Sequence, residues 1–414
     1  MRTPTLLSWF KARRSAATPT RDRSALQIGI PRVLSVWSTH QFWIGFLTHL
    51  GVAPRNIVFS SETSEQQFRQ FGHARDTVDA CYPVKCASGH YGELLFGQKH
   101  RLDLVIHPMH STVPSFLRGH VLDTLACPRD LCAAENIKAG FVKERDLFRE
   151  SGIARVTPFV SLAEPDVAPR QLYGALKDAL DLDEDEVDPA VAAGYAALAA
   201  FNDKMRKKSR EILAWCASEQ KPCILVLARA YHMDPGIGHD IESNLQMHGI
   251  PILWTHYLPI DDDLMQWLFG EEIARGDIRS AFDISDVWPF SYSNSTNEIM
   301  WSAKVAARMP WVTCVIRLSS YECGLDQPTF TPTQRIVEAS GTLYFKFGDL
   351  DATKPTGSVK IRTETILYYL DQYSPRILHD KLSRLPAACP LIGVAPWQPQ
   401  PSFAAGLGVR QTTT

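Results

Sequence analysis

The chain has 414 residues, 45% of them hydrophobic and 21% charged, which is enough for two or three domains with a sizeable core. Its formal net charge of −2 gives no global signal for binding nucleic acid or an anionic membrane surface. No apolar run is long enough to cross a bilayer. The chain has nine cysteines, and we find no N-terminal apolar segment typical of a secretory signal. We therefore expect free thiols or metal ligands in the reducing cytoplasm and not a secreted disulfide scaffold.

The first 24 residues are basic and rich in Ser, Thr and Pro, with six Lys or Arg side chains against Asp22 alone. This composition fits an organelle transit peptide as well as a disordered leader. We predict a disordered basic leader over residues 1–24.

Residues 25–165 have the pattern of an α/β domain. A strand at 27–31, a helix at 35–50 ended by Gly51, and a strand at 56–59 form a βαβ unit, which favours a parallel sheet. The pattern continues with a helix at 62–71, a loop at 79–86, a helix to about 96, a strand at 102–107, a loop at 107–128 and a strand near 156–160.

Residues 166–222 are predicted to form a helical connector between two halves. The acidic run Asp181–Asp188 is interpreted as a solvated face. The alanine-rich stretch that follows, to Cys216, predicts a long helix with Pro189 in its first turn.

Residues 223–375 repeat the α/β pattern and form the second predicted domain. The apolar run Cys223–Ala228 is typical of a central parallel strand. Ser295 and Glu298 have the spacing of a capping box at the start of a helix to about 308. The other predicted elements are a helix to 248, strands at 251–254, 311–318 and 342–347, helices at 332–340 and 357–373, and a Pro-rich tail at 376–414.

Three cysteines stand in loops that contain Pro or Gly: Cys81, Cys127 and Cys323. Iron–sulfur ligands need such loops, because the backbone bends around the cluster and donates N–H groups to its sulfurs. Three ordinary buried thiols explain the spacing about as well, because cysteine is often buried and no dense C-x-x-C run exists. The absence of that run disfavours structural zinc.

The remaining cysteines have simpler interpretations. Cys86 and Cys132 each stand five residues after a candidate ligand. They are either additional ligands or, as we favour, residues that pack inward on the following helix. Cys216, Cys223 and Cys314 lie in helix or strand patterns and are interpreted as core residues.

A second group of polar residues lies in the loop Arg229–Asp234, with His232 inside it and His239 a helical turn further on. Such a loop suits an anionic ligand or acid–base chemistry by histidine. A helix cap with surface histidines is an equally good explanation. His90 is a third histidine, close in sequence to Cys81. No Walker-type loop and no well-placed G-x-G-x-x-G supports binding of ATP or NAD by those routes.

Four segments in order resemble the activase-related branch of the 2-hydroxyacyl-CoA dehydratase and benzoyl-CoA reductase superfamily. They are Cys81-Tyr82-Pro83-Val84-Lys85 with Gly89-His90, Cys127-Pro128, Ala228-Arg229-Ala230-Tyr231-His232-Met233-Asp234-Pro235 with His239, and Tyr321-Glu322-Cys323-Gly324. The resemblance runs from about Ile28 to about Tyr373.

The resemblance implies two tandem Rossmann- or flavodoxin-like halves with a [4Fe-4S] cluster in the cleft between them. Three cysteines hold that cluster and leave one iron open, and the matching positions are Cys81, Cys127 and Cys323. It also implies a separate ATP-dependent activase chain that donates a low-potential electron, and an acyl-CoA substrate for a lyase or oxidoreductase reaction. A dimer is compatible with it. We take His232, His90 and His239 as the candidate catalytic residues.

The chain departs from the family pattern in two places. Glu322 stands where the family usually has Gly, and Ala228 and Ala230 replace the Gly and Pro of the usual Gly-Arg-Pro-Tyr-His. A carboxylate beside an anionic cluster lowers its potential or weakens its assembly. Two alternatives therefore stay open: an iron–sulfur electron-transfer or accessory protein without a substrate of its own, and a cluster-free α/β binding module.

Overall fold

The chain folds into two compact α/β units. The computed structural model describes residues 22–75, 80–97, 101–351 and 356–394. Unit 1 falls within Met1–Pro114 and Leu125–Asn202, and unit 2 within Ser115–Thr124 and Asp203–Thr414. Among the described residues, no helix is long and apolar enough to cross a membrane.

Unit 1 is built on a four-stranded sheet with the order β2-β1-β3-β5, in which all neighbouring strands are parallel. Strands β4 and β6 form a separate parallel pair. The elements are β1 Ile28–Ile30, α1 Val36–His49, β2 Ile57–Phe59, α2 Glu65–Gln67, α3 Tyr82–Gly92, β3 Leu104–Ile106, β4 Met109–Thr112, α4 Pro128–Val142, α5 Leu147–Ser151, β5 Ala154–Val156, β6 Phe159–Ser161 and α6 Ala168–Leu180.

Unit 2 is built on a second four-stranded parallel sheet, with the order β8-β7-β9-β10. Every residue of β7 and β9 is buried, as expected for central parallel strands with both faces covered. The elements are α7 Glu184–Glu219, which begins in unit 1, then β7 Cys223–Leu227, α8 Ile241–Gln246, β8 Ile252–Trp254, α9 Asp262–Arg275, α10 Asn294–Arg308, β9 Val312–Ser320, α11 Phe330–Glu338, β10 Leu343–Leu350 and α12 Thr356–Leu382.

The two sheets have the same topology. In each, the first strand lies between the second and the third, and the last strand follows the third. Strand order therefore reverses between β1 and β3 and between β7 and β9, and ligands of open α/β sheets bind at such points, outside the carboxyl ends of the strands. The prediction of two α/β halves with parallel sheets is confirmed.

The long helix α7 starts earlier than predicted, at Glu184 instead of Pro189. Acidic residues occupy its first turn, where the positive end of the helix dipole stabilises their negative charge. One of them, Glu186, is buried and forms an ion pair with Arg23 at 2.8 Å. The acidic run is therefore partly buried and not only a solvated face. The folded part of the chain begins before residue 25. The predicted leader up to residue 21 lies outside the described residues.

Three other expectations are corrected. Strand β4 lies inside the predicted loop 107–128, because it pairs with β6. Helix α10 begins after Ser293, which makes no side-chain cap, and Glu298 binds Ser115 and His256 instead of closing a capping box. Helix α12 continues to Leu382, and Leu391 beyond it packs in the core of unit 2. Residues 395–414 of the predicted tail lie outside the described residues.

His90, His107, His110 and His232 are four of the five buried histidines in the described part of the two units. Burial, which disfavours the imidazolium, lowers the pKa of each from 6.5 to about 3. At a pH between about 3 and 6.5, these histidines are protonated in the unfolded chain but neutral in the folded chain. The free energy of unfolding is therefore expected to fall as the pH drops from about 6.5 towards 3, by at most ~1.4 kcal/mol per pH unit for each histidine.

Urea unfolding at a series of pH values measures this slope. His110→Asn is expected to reduce it, because one of the four groups is removed, whereas His248→Gln, at an exposed position, leaves it unchanged. Equal slopes for the wild type and His110→Asn would contradict the assignment.

Candidate functional site

Cys81 and Cys127 occupy equivalent positions, each immediately before the first residue of a helix. Cys81 is the N-cap of α3 and Cys127 the N-cap of α4, with Pro83 and Pro128 in the first turns. Proline is tolerated there because the first-turn N–H groups have no partner inside the helix. The helix therefore starts at Tyr82, within the predicted loop 79–86. Helix N-termini favour thiolates and other anions.

The two thiols are neighbours in unit 1. Burial raises the pKa of Cys81, Cys127 raises this pKa further, and a hydrogen bond from Arg129 lowers it. Cys81 is 6% exposed and Cys127 is half-buried. Without a metal, Cys81 is therefore a neutral thiol, and Arg129 provides a cation beside it for an anionic form.

Side-chain hydrogen bonds anchor the first turn of α4 and the last turn of α3 within unit 1. Asp130, in the first turn of α4, accepts from the backbone N–H of Ser35 at 3.1 Å and also from its hydroxyl. His90, within α3, contacts the Ser60 hydroxyl through Nδ1 at 2.7 Å and the Thr63 hydroxyl through Nε2 at 2.9 Å. Both ring nitrogens of His90 are thus engaged in joining α3 to the segment after β2.

Cys323 lies in a tight turn after β9 in unit 2. Its N–H donates to the carbonyl of Ser320 at 3.2 Å, and its carbonyl accepts from the N–H of Asp326 at 3.2 Å and of Gln327 at 3.3 Å. Cys323 is 6% exposed, whereas Glu322 is exposed. Glu322 has a φ of +64°, in the left-handed region where glycine is favoured. This backbone conformation gives a physical reason for a glycine at this position.

The Cys323 turn is held by a buried carboxylate. Asp326 is fully buried, and its Oδ1 accepts from Nε and Nη2 of Arg229 at 3.1 and 3.0 Å. Nη2 of Arg317 lies 3.1 Å from the same oxygen, and the Ser319 hydroxyl donates to Oδ2 at 2.7 Å. Burial alone would raise the pKa of Asp326, but the two guanidinium groups lower it well below its usual range. The group is therefore an ionised carboxylate between two cations.

The other two candidate histidines belong to unit 2. His232 contacts the Ser320 hydroxyl through Nε2 at 3.2 Å, and its buried Nδ1 has no protein partner. It lines a cavity of about 30 Å³, which has room for roughly one water molecule. His239 is hydrogen-bonded through Nε2 to the carbonyl of Asp351 at 2.8 Å.

The structure groups the predicted residues by unit. Cys81, Cys127 and His90 lie in unit 1, and His232, His239 and Cys323 lie in unit 2. Within the part of the chain that is described, no group of three or more Cys, His, Asp or Glu side chains is arranged to hold a metal ion. Cys81 and Cys127 are close enough for Cys127 to raise the pKa of Cys81, and thiolates are the soft ligands that an iron–sulfur cluster takes. The cluster itself stays a prediction.

Sequence reasoning missed Arg317, Asp326 and Arg129. Arg317 could have been recognised from the sequence, because a charged residue within a mostly apolar strand requires a buried partner of opposite charge. Arg229, expected to suit an anionic ligand, is bound instead to Asp326. Among the other cysteines, Cys86, Cys216, Cys223 and Cys314 are buried as expected. Cys132 is exposed on α4, so the expectation that it packs inward is wrong.

One protein family matches the chain. Its sequence profile, described as CoA enzyme activase uncharacterised domain (DUF2229), aligns with residues 27–258, more than half of the chain. The range includes Cys81, Cys127 and the loop that carries His232, while Cys323 lies beyond it. The match confirms the resemblance to the activase-related branch. No curated protein matches the chain.

Glu322→Gly is expected to raise the free energy of unfolding by about 1 kcal/mol, because glycine adopts the left-handed conformation without the penalty of a β-carbon. Urea unfolding measures the change. Glu322→Ala is the matched control, since it removes the carboxylate but keeps the β-carbon. Equal stabilities of the Gly and Ala variants would show that backbone strain at this position is negligible.

Proposed function

Because this chain belongs to the family described as CoA enzyme activase uncharacterised domain, we propose that it is the iron–sulfur component of a 2-hydroxyacyl-CoA dehydratase- or acyl-CoA reductase-like system. In this role it receives a low-potential electron from a separate ATP-dependent activase and acts on an acyl-CoA or related small substrate. The observation that carries the proposal is the pair of neighbouring thiols, Cys81 and Cys127, at the N-termini of two helices.

In the proposal, Cys81, Cys127 and Cys323 are the three ligands of a [4Fe-4S] cluster. Thiolates are the ligands such clusters require, and a cluster with four irons and three thiolates keeps one iron for another ligand. The first-turn N–H groups of α3 and α4 and the Arg129 cation favour the negative charge of such a group. When bound, the cluster would supply low-potential one-electron chemistry.

The candidate histidines take different roles in the proposal. His232 is the one we assign to the substrate, because its Nδ1 is buried without a protein partner in the unit that carries Cys323. Burial and the nearby guanidinium groups lower the pKa of His232 to about 3, so it acts as a neutral hydrogen-bonding group. His90 and His239, whose hydrogen bonds join separate segments of their units, are positioning residues.

The proposed partners follow from this role. The activase is the protein partner, the reaction takes place in the cytoplasm, and neither nucleic acid nor a membrane takes part. A dimer is compatible with the proposal but is not needed for the three-cysteine site.

A second candidate is an iron–sulfur electron-transfer or accessory protein that has no substrate of its own. Two observations favour it. The cavity beside His232 has room for only about one water molecule, and Glu322 places an exposed carboxylate next to Cys323. A cluster-free binding module is the third possibility, and iron analysis separates it from the other two.

The ligand assignment is tested by single Cys→Ala variants purified without oxygen. Cys81→Ala, Cys127→Ala and Cys323→Ala are each expected to lose most of the iron and acid-labile sulfide, because each removes one of three ligands. Cys132→Ala is the matched control, because it removes an exposed thiol one turn along α4, and it is expected to keep both. Full iron retention in Cys323→Ala would exclude that residue as a ligand.

The substrate part of the proposal has a separate test. Addition of acyl-CoA thioesters to the anaerobic protein is expected to change its visible or electron paramagnetic resonance spectrum, with the free acids as controls. A protein that holds iron but does not respond to any thioester would favour the accessory role. A colourless protein without iron or sulfide would favour the cluster-free module.

A further inference from the structure

The long helix α12 packs against the last strand of the second sheet, β10. In the described ranges of unit 2 this strand pairs with β9 alone, so it is an edge of the sheet. Tyr369 on α12 contacts Phe345 on β10 with ring centroids 5.8 Å apart, and Arg362 donates to the Asp349 carboxylate at 3.1 and 3.2 Å. The flank of α12 that carries Arg362 and Tyr369 therefore faces this edge strand.

Four residues on this flank form a symmetric pattern of charged and aromatic side chains. They are separated in sequence by 7, 4 and 7 positions: Arg362, Tyr369, Tyr373 and Asp380. At 3.6 residues per turn, these spacings keep all four on one face of the helix, over about 27 Å of its length. The pattern reads cation, tyrosine, tyrosine, anion, and its centre is position 371.

The four side chains are held in place but are not covered. Each of them is between 39% and 46% exposed. Tyr369 and Tyr373 stack with ring centroids 5.5 Å apart, and Asp380 lies 3.9 Å from Arg376 one turn before it. Tyrosine and arginine are enriched among the residues that dominate protein–protein binding. Because Arg362 and Tyr369 are already ordered by β10, a partner that binds them loses little side-chain entropy.

A second copy of the same helix, laid antiparallel, complements this pattern in charge and shape. Arg362 and Asp380 each stand nine positions from 371, and Tyr369 and Tyr373 each stand two positions from it. A two-fold axis at position 371 therefore places Arg362 opposite Asp380 of the second copy, and Tyr369 opposite Tyr373 of the second copy. Because a two-fold interface repeats each contact, four residues supply two ion pairs and two aromatic pairs. A parallel arrangement would instead bring like charges together.

We infer that this face of α12 is an interface between two copies of the chain, whose α12 helices pack antiparallel about a two-fold axis. The edge position of β10 leaves the sheet open on the side that the second copy approaches. The inference does not rest on the proposed cluster, because none of its three cysteines lies on α12 or β10. Partly exposed ion pairs are screened by salt, so the dimer is expected to weaken as the ionic strength rises.

The test is sedimentation equilibrium of the full chain over a series of protein concentrations, at low and at high salt. A monomer–dimer equilibrium is expected, with a dissociation constant that increases with the salt concentration. A chain that stays monomeric at every concentration would overturn the inference, and the tyrosine face would then belong to a different occupant.

Charge reversal locates the interface on α12. Asp380→Lys places like charges at both symmetric contacts with Arg362 and is expected to weaken the dimer about tenfold. Asp371→Lys is its matched control, because it makes the same charge change at an exposed position on the opposite face of the same helix. Equal dissociation constants for these two variants would contradict the antiparallel arrangement.

The aromatic contact has its own pair of variants. Tyr373→Ser is expected to weaken the dimer about tenfold, because it removes both symmetric tyrosine pairs. Tyr292→Ser removes an exposed tyrosine elsewhere in unit 2 and is expected to keep the wild-type dissociation constant. If Tyr373→Ser does not fold, as judged by circular dichroism, the charge-reversal pair decides. A dimer that neither Asp380→Lys nor Tyr373→Ser weakens would use another surface and would overturn the inference.

Discussion

The arrangement at the carboxyl end of the second sheet depends on the ionised carboxylate of Asp326. It is completely buried and is compensated by two guanidinium groups, from Arg229 after β7 and Arg317 within β9. Removing one partner of a buried ion pair typically costs about 3–5 kcal/mol, because the remaining charge is left without compensation. Asp326 also belongs to the turn of Cys323, so the same interaction that joins two strand ends fixes the position of the thiol.

The two units present their thiols in different ways, although their strand orders are the same. In unit 1, Cys81 and Cys127 stand at helix N-termini, where the helix dipole favours negative charge. In unit 2, Cys323 stands in a turn braced by an ion-pair network, and the residue before it, Glu322, has a strained backbone. In unit 1, helix N-termini and Arg129 favour negative charge at the thiols, whereas in unit 2 two arginines brace the Cys323 turn by pairing with Asp326.

The features that local patterns determine were predicted well. The alternation of apolar strands and helices gave the two parallel sheets. The start of α3 at Tyr82 was missed because Pro83 was taken as part of a loop, although proline is equally suited to the first turn of a helix.

Features that depend on distant partners could not be read from local patterns. The capping box at Ser295 was wrong because Ser115 and His256 take the carboxylate of Glu298, and neither is near it in sequence. Strand β4 was hidden in a loop-like segment because its partner strand β6 lies far from it in sequence. Arg229 was assigned to a ligand because nothing in its own loop indicates that Asp326, 97 residues later, binds it.

The most direct test of the central claim is a Mössbauer spectrum of the protein after anaerobic reconstitution with labelled iron and sulfide. A [4Fe-4S] cluster held by Cys81, Cys127 and Cys323 predicts two kinds of iron site in a ratio of about three to one, because one iron lacks a cysteine ligand. A spectrum with four equivalent sites would contradict the three-cysteine site. A protein that takes up no iron would contradict the cluster altogether.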